Sequence, residues 1–248
     1  MVFFHGFGQN FKAFEAMYAE AGKTHSLLAP DLFFHGESER LSHSGKPVEL
    51  GEWLAVLDEI WARFNPGRAH WVAYSMGAKL ALAGFQERPA FAASVTLLAP
   101  DGIDLNPWYR TATQTVAGRL VLRFFLRVYP ALGLLILVLK TLRLIKPGLL
   151  LFAETALRSP EARKQVRSVW LGFRLLWPDE NRWFRNLREE PVPFTIFLGK
   201  KDSVMPPSRF APYKKRWGHL IRWVELDSGH ARLPERVAEV WKKERARG

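Results

Sequence analysis

His70-Trp71-Val72-Ala73-Tyr74-Ser75-Met76-Gly77-Ala78 carries three signals in one short segment. An apolar run ends in a serine, small residues stand two places before and two places after it, and helix-like spacing begins at once over Met76 to Gln86. A strand that passes directly into a helix turns tightly at the residue between them. Small neighbours are needed there because strand and helix nearly touch. Read alone, the segment is also consistent with a serine capping an ordinary helix.

Outward from this segment, residues 1–100 alternate short β-rich runs with amphipathic stretches, the pattern of a parallel α/β sheet. Val2-Phe3-Phe4 is an apolar run stopped by Gly6, Ser26 to Pro30 a second that ends at Asp31, Trp71 to Tyr74 a third and Ser94 to Leu98 a fourth. Glu49 to Phe64 puts Trp53, Leu54, Leu57, Ile60 and Trp61 on one helical face. The alternation resumes with Phe194 to Leu198 and Arg222 to Leu226, and Val237 to Lys243 reads as a closing helix.

Residues 101–190 break the rhythm. They hold no convincing strand, only helical segments separated by Pro130, Pro147, Pro160 and Pro178. A helical block between two strands of a parallel sheet reads as a cap. The expected organisation is therefore a core from residues 1–100 and 191–248 with an inserted helical cap over 101–190. Within the cap Arg119, Arg123 and Arg127 recur every four residues, and Leu120, Phe124 and Val128 follow one step round. A basic outer face and an apolar inner face are expected. Ala131 to Leu139 is apolar on every side, and Lys140, Arg143 and Lys146 close that segment.

The segment around Ser75 resembles the nucleophile elbow of the α/β-hydrolase fold, G-x-S-x-G, with Ala73 where glycine is usual. His5-Gly6-Phe7-Gly8 is similar to the H-G-x-G loop of that family; the resemblance makes the backbone N–H groups of Phe7 and Met76 the oxyanion donors, with His5, Gly6, Gly8 and Gly77 in supporting places. A glycine-rich turn with a satisfied histidine would explain the first loop by itself, but not its order relative to the rest. Asp31 to Ser38 resembles the family's D-x-x-G-x-G-x-S stretch, with Phe34 in place of the first glycine, and reads as structural, His35 being a loop-ordering residue. Gly199-Lys200-Lys201-Asp202 follows a strand where the family places its acid, and Asp227-Ser228-Gly229-His230 follows the next strand where it places its base. The resemblance thus implies a triad of Ser75, Asp202 and His230. Asp101, after Ser94 to Leu98, is the alternative acid; Asp227 is too close in sequence to His230 and reads as a turn residue. His25, His43, His70 and His219 carry no motif. The family usually begins with a two-strand hairpin ahead of the strand corresponding to Val2-Phe3-Phe4. The expected sheet therefore lacks its N-terminal edge strands, or the true start lies upstream.

Composition bounds the chemistry. The 248 residues are 48% hydrophobic and 24% charged, enough to bury a core. The chain has no cysteine, which excludes a disulfide scaffold, a thiolate nucleophile and Cys-ligated metal. Neither a G-x-G-x-x-G nor a P-loop is present, and no His-rich spacing suggests zinc; no cofactor and no metal are expected. The longest apolar run, Ala131 to Leu139, is short of the about 20 residues needed to span a bilayer, and the N-terminus does not look like a signal peptide. A soluble, cytoplasmic protein is expected. The net charge of +12 is unevenly spread: residues 1–100 hold 8 basic and 10 acidic residues, 101–190 hold 15 and 8, and 191–248 hold 13 and 6.

A serine at the elbow argues against the epoxide hydrolases and haloalkane dehalogenases of this family, which use aspartate there. The resemblance implies acyl chemistry: a carboxylesterase or monoacylglycerol-lipase-like enzyme acting on a carboxylic ester or thioester of an apolar acyl group. A cofactor-independent lyase or C–C hydrolase using the same triad is the alternative, and a catalytically silent binding relative is the reading outside catalysis. The basic cap suggests peripheral contact with an anionic membrane surface. Nucleic acid is not expected, since no recognised binding motif accompanies the charge.

Overall fold

Most strands form where the chain is apolar on consecutive residues, because a parallel sheet sandwiched between helices leaves neither face of its inner strands to water. The computed structural model describes residues 1–38, 46–104, 107–132, 141–142 and 157–247. Among these, β1 (Val2–Phe4), β2 (Ala69–Tyr74), β3 (Ala92–Leu98), β4 (Phe194–Gly199) and β5 (Arg222–Leu226) make one sheet in the order β1-β2-β3-β4-β5, every pair parallel. The helices are α1 (Glu15–Ala21), α2 (Leu50–Phe64), α3 (Met76–Phe85), α4 (Pro107–Gln114), α5 (Val116–Val128), α6 (Pro160–Gly172), α7 (Glu180–Glu189), α8 (Ala211–Trp217) and α9 (Leu233–Arg245). Ser26 to Pro30 is not a full strand. It pairs with β1 only at Leu28, whose N–H donates to the Met1 carbonyl and whose carbonyl accepts from the Phe3 N–H. Pro30 has no N–H to extend the ladder.

The register carries the functional consequence. Phe4 lies opposite Ala73, Tyr74 opposite Leu98 and Gly199 opposite Leu226. All five strands therefore end along one edge of the sheet, and the segments after β1, β2, β3, β4 and β5 emerge there together, as ligand-bearing loops do in open α/β sheets. The helix that leaves β2, α3, is buried along its whole length, Lys79 included. Beside it α2 turns in Trp53 and Leu57, the Trp53 indole N–H donates to the Leu80 carbonyl at 2.9 Å, and Asn65 closes α2 in the left-handed conformation at φ 41°.

The chain divides into two compact units, Met1–Glu39 with Glu49–Asp104 and Leu176–Gly248, and Arg40–Val48 with Leu105–Leu175. The first holds the whole sheet. It also holds residues 101–104 and 176–190, part of the span expected to form the helical insertion. The reason is packing. On α7, Trp183 stacks on Phe194 of β4 with ring centroids 5.6 Å apart, Phe184 stacks on Trp217, and the Asn186 amide donates to the Gln86 carbonyl at the end of α3 at 2.9 Å.

In the second unit α4, α5 and α6 pack on one another. Tyr109 meets Trp170 edge-on at 5.4 Å, and the Thr113 hydroxyl donates to the Tyr109 carbonyl. The Thr115 hydroxyl caps α5 by accepting from the Gly118 N–H at 2.9 Å. A Cβ at Gly118 would overlap the Thr111 carbonyl oxygen, so glycine is what lets α4 come so close. That contact fixes which side of α5 faces in: Gly118, Leu122 and Leu126 are four residues apart, and the two leucines are buried. The stripe expected to face inward is outside instead, with Leu120 59% and Phe124 67% exposed. Residues 133–140 and 143–156, which carry most of Ala131 to Leu139 as well as Lys140, Arg143 and Lys146, lie outside the described residues.

Candidate active site

Ser75 sits where β2 becomes α3, at φ 52° and ψ −120°. That combination is costly for any residue with a side chain and persists only where the surroundings impose it. They do so here: the Ser75 N–H donates to the Leu98 carbonyl at 2.9 Å, and its carbonyl accepts from the N–H groups of Ala78 and Asp101, each at 3.0 Å. A Cβ at Gly77 would overlap the Phe4 carbonyl oxygen and lie 2.6 Å from that of His5, which explains the small residue two places after the serine. Two places before it, Ala73 is fully buried opposite Phe4, and its methyl group is accommodated.

The loops after β4 and β5 approach each other closely. A Cβ at Gly199 would stand 2.5 Å from the Ser228 carbonyl oxygen, and the Lys201 N–H donates to that same oxygen at 2.9 Å. This places Asp202, 3% exposed, against His230. Asp202 Oδ1 accepts from the backbone N–H groups of Val204 and Met205 at 2.8 and 2.7 Å, and Oδ2 lies 2.6 Å from His230 Nδ1. His230 Nε2 lies 3.1 Å from Ser75 Oγ. An ionised carboxylate only accepts, so the Nδ1 proton points at Asp202 and the Nε2 lone pair is left for the serine hydroxyl. The arrangement can draw the proton off Ser75 and hold the resulting imidazolium beside a buried carboxylate.

The other predicted positions divide. Asp101 does not meet His230: its Oδ2 lies 3.5 Å from Lys79 Nζ, and its backbone N–H braces the elbow. The alternative acid is thus held by a different partner. Asp227 pairs with Lys201 at 2.7 Å on the surface, and that ammonium holds its carboxyl below the usual range. The His5 loop lies against the elbow, since a Cβ at Gly6 would be 3.3 Å from Ser75 Cβ. Phe7 follows directly, and Met76 opens α3, where the first N–H has no partner within the helix. His5 is buried; its Nε2 accepts from the Leu32 N–H at 2.9 Å, so Nδ1 carries the proton and donates to the Gly6 carbonyl at 2.9 Å. Burial lowers its pKa. Gly8 is left-handed at φ 71°.

His35 packs edge-on to His5 at 5.1 Å, and burial pulls its pKa down to about 4. Phe34, standing where the family has glycine, does adopt the left-handed region, at φ 68°. Asp31 orders this loop by accepting from the N–H groups of Phe11 and Glu37. His70 bonds Ser94, His25 bonds Thr24 and His219 is exposed; His43 lies outside the described residues.

Two residues escaped the sequence reading. Tyr74 donates its hydroxyl to the His230 carbonyl at 2.9 Å; it stood beside the serine, but nothing local announced a partner 156 residues away. Lys79 is buried with Nζ 4.4 Å from the centre of the Trp177 ring. Its signal was available: a lone cation in an apolar helix needs compensation.

Comparison with known proteins bears on the fold. A family model described as the alpha/beta hydrolase fold matches residues 1–236. Among solved structures, a thermophilic esterase from Thermogutta terrifontis superposes with a TM-score of 0.68 at 18% identity, covering 99% of this chain and 87% of that one. The thioesterase domain of the curacin biosynthetic pathway gives 0.64 at 19%, over 97% and 90%. A meta-cleavage product hydrolase from Pseudomonas fluorescens gives 0.60 at 16%, over 98% and 88%. At these identities the likeness is one of fold. No curated protein sequence matches the chain.

Proposed function

The chain belongs to the alpha/beta hydrolase fold family, and from that premise we propose that it is a serine hydrolase cleaving a carboxylic ester or thioester of an apolar acyl substrate. The observation that carries the reading is the unbroken chain Asp202 Oδ2, His230 Nδ1, His230 Nε2, Ser75 Oγ, with separations of 2.6 and 3.1 Å. Ser75 attacks the acyl carbon as His230 takes its proton, and the oxyanion forms against the N–H groups of Phe7 and Met76. The leaving group departs with the proton from His230; water, giving its proton to the same imidazole, then attacks the acyl carbon, the bond to Ser75 Oγ breaks, and the carboxylic acid leaves as the proton returns to Ser75. Asp202 keeps the imidazole in the productive tautomer and balances its transient charge. The test is labelling by a fluorophosphonate, together with a panel of p-nitrophenyl esters of increasing acyl length and Ser75→Ala as control. Labelling and turnover that both require Ser75 support the reading; a protein that neither labels nor turns over refutes it and leaves a binding relative. The fold likeness to a meta-cleavage product hydrolase favours a second reading, C–C bond hydrolysis by the same three residues. Labelling without turnover of any ester would shift the balance to it.

The proposal extends to a membrane surface. On α5, Val116, Leu120, Val121 and Phe124 face outward, each more than half exposed, and Arg119, Arg123 and Arg127 run beside them. An outward apolar stripe flanked by cations is the signature of a helix that rests on a membrane surface, and the charge selects anionic lipid. No helix among the described residues is long and apolar enough to cross a membrane. Each arginine near such a surface adds about 1 kcal/mol. Sedimentation with anionic but not neutral vesicles is expected, weakened by high salt and by Phe124→Ser, with labelling of Ser75 unchanged. Binding indifferent to lipid charge, or none, removes this part of the proposal.

A further inference from the structure

Tyr74 touches three of the four segments that make up the candidate site. As the residue before Ser75 it belongs to the elbow. On one side it meets the loop after β1, because a Cβ at Gly6 would stand 3.2 Å from Tyr74 Cδ1. On the other its ring lies 5.1 Å from the His230 imidazole, the planes tilted by 35°, and its hydroxyl donates to the His230 backbone carbonyl at 2.9 Å. Tyr74 is 2% exposed. Burial, with Asp202 and Glu235 nearby, pushes its phenol far above the usual range, so the group stays a donor at every working pH.

The loop that carries His230 needs such a tie. Gly229 precedes the histidine, and the Ser228 hydroxyl is turned onto the Gly229 carbonyl. The loop is held at its start by the Lys201 N–H on the Ser228 carbonyl, and at its end by the Leu233 N–H, which reaches the His230 carbonyl only at 3.2 Å. The Tyr74 hydroxyl makes the shorter of the two bonds to that carbonyl, and it comes from the residue bonded to Ser75.

We propose that Tyr74 is a positioning residue that sets the distance between His230 and Ser75 by bonding the histidine's backbone to the elbow. A shift of the His230 backbone is carried directly to Nε2, and proton transfer to a base tolerates little misplacement. Nucleophile and base then move as one body, and the same ring supports the Gly6 loop. The inference rests on the reading that Ser75 and His230 are the reacting pair.

Tyr74→Phe removes the hydroxyl and keeps the ring. The maximal rate of inactivation by a fluorophosphonate is expected to fall about tenfold, the loss that corresponds to one hydrogen bond, while the reagent's binding constant stays within twofold. In the proton NMR spectrum the downfield His230 Nδ1–H signal should broaden as the imidazole loosens. Tyr18→Phe, which removes a hydroxyl from the Phe11 carbonyl next to α1, supplies the comparison and should leave both readouts unchanged. A Tyr74→Phe protein with wild-type inactivation rate and a sharp Nδ1–H signal overturns the proposal. So does a protein whose rate and binding constants worsen together with a lowered melting temperature, because the hydroxyl would then be a general stabiliser. If the wild type is not labelled at all, the serine hydrolase reading fails by itself, and the Nδ1–H comparison still judges the tie.

Discussion

Asp202→Asn is the substitution whose outcome the geometry constrains most tightly. Asp202 Oδ1 is held by two backbone donors, from Val204 and Met205, and only Oδ2 faces His230. An asparagine at this place has one oxygen and one NH2 group. With the oxygen kept toward the two N–H donors, the NH2 group meets His230 Nδ1 and compels it to accept. The imidazole proton then moves to Nε2, facing Ser75, and the base is lost. Flipping the amide restores the productive tautomer, but it turns an NH2 group toward two buried N–H groups and leaves both unpaired. Each buried unsatisfied donor costs about 1–3 kcal/mol, so the flip costs about 2–6 kcal/mol. At about 1.4 kcal/mol per factor of ten, the productive form is populated at about one part in thirty to one in 10⁴. The assay is kcat/KM on a p-nitrophenyl ester, or the inactivation rate with a fluorophosphonate, alongside a thermal melt. Asp202→Asn should lose about 30-fold to 10⁴-fold, in line with other triad aspartates, while Asp101→Asn, whose carboxylate pairs with Lys79, should lose less than threefold. A loss under tenfold at Asp202, or a larger one at Asp101, would refute the assignment of the acid.

Two further outcomes follow from the same geometry. Ser75→Gly and Ser75→Ala should both abolish labelling, but glycine relieves the strain at φ 52°, about 1–3 kcal/mol, against about 0.5–1 kcal/mol for its greater freedom when unfolded; calorimetry should find the glycine variant melting a few degrees higher, and the reverse order would mean the elbow is not strained. His35 has a folded pKa of about 4 against an ordinary 6.5. The unfolded chain therefore binds the extra proton first, and the stability His35 contributes is complete above pH 6.5 and is lost as the pH falls toward 4, by about 3 kcal/mol in all. Denaturant titrations at pH 7 and 4.5 should show that loss reduced in His35→Asn, which can retain the donor to the Phe33 carbonyl; an unchanged pH dependence would reject it.

What the sequence determined by itself is what local backbone geometry demands. The run from His70 to Ala78 announces the elbow because a strand-to-helix turn needs a small residue at position 77, and the overlap of a Cβ there with the Phe4 carbonyl shows why. Alternating apolar runs announce a parallel sheet because such strands are buried on both faces. Asp202 and His230 were named through the resemblance to the family's order of nucleophile, acid and base; the residues alone say only that each follows a strand.

The choice among residues that satisfy the same local rule belonged to the tertiary structure. Asp101 and Asp202 both follow a strand, and only packing decides that the second meets His230 while the first meets the buried Lys79 of α3. Helix α5 has apolar residues on more than one side, so periodicity named a stripe without a direction; the close approach at Gly118 turned Leu122 and Leu126 inward and left Phe124 outside. Helix α7 is amphipathic, and nothing in its own residues says which surface its aromatics will cover; Phe194 and Trp217, distant in sequence, make that decision. The Tyr74 hydroxyl and the His230 carbonyl are 156 residues apart and become partners only because β2 and the loop after β5 end on the same edge of the sheet. Periodicity and turn chemistry act over a few residues, whereas the pairing of buried charges and hydroxyls is set by which elements the sheet brings side by side.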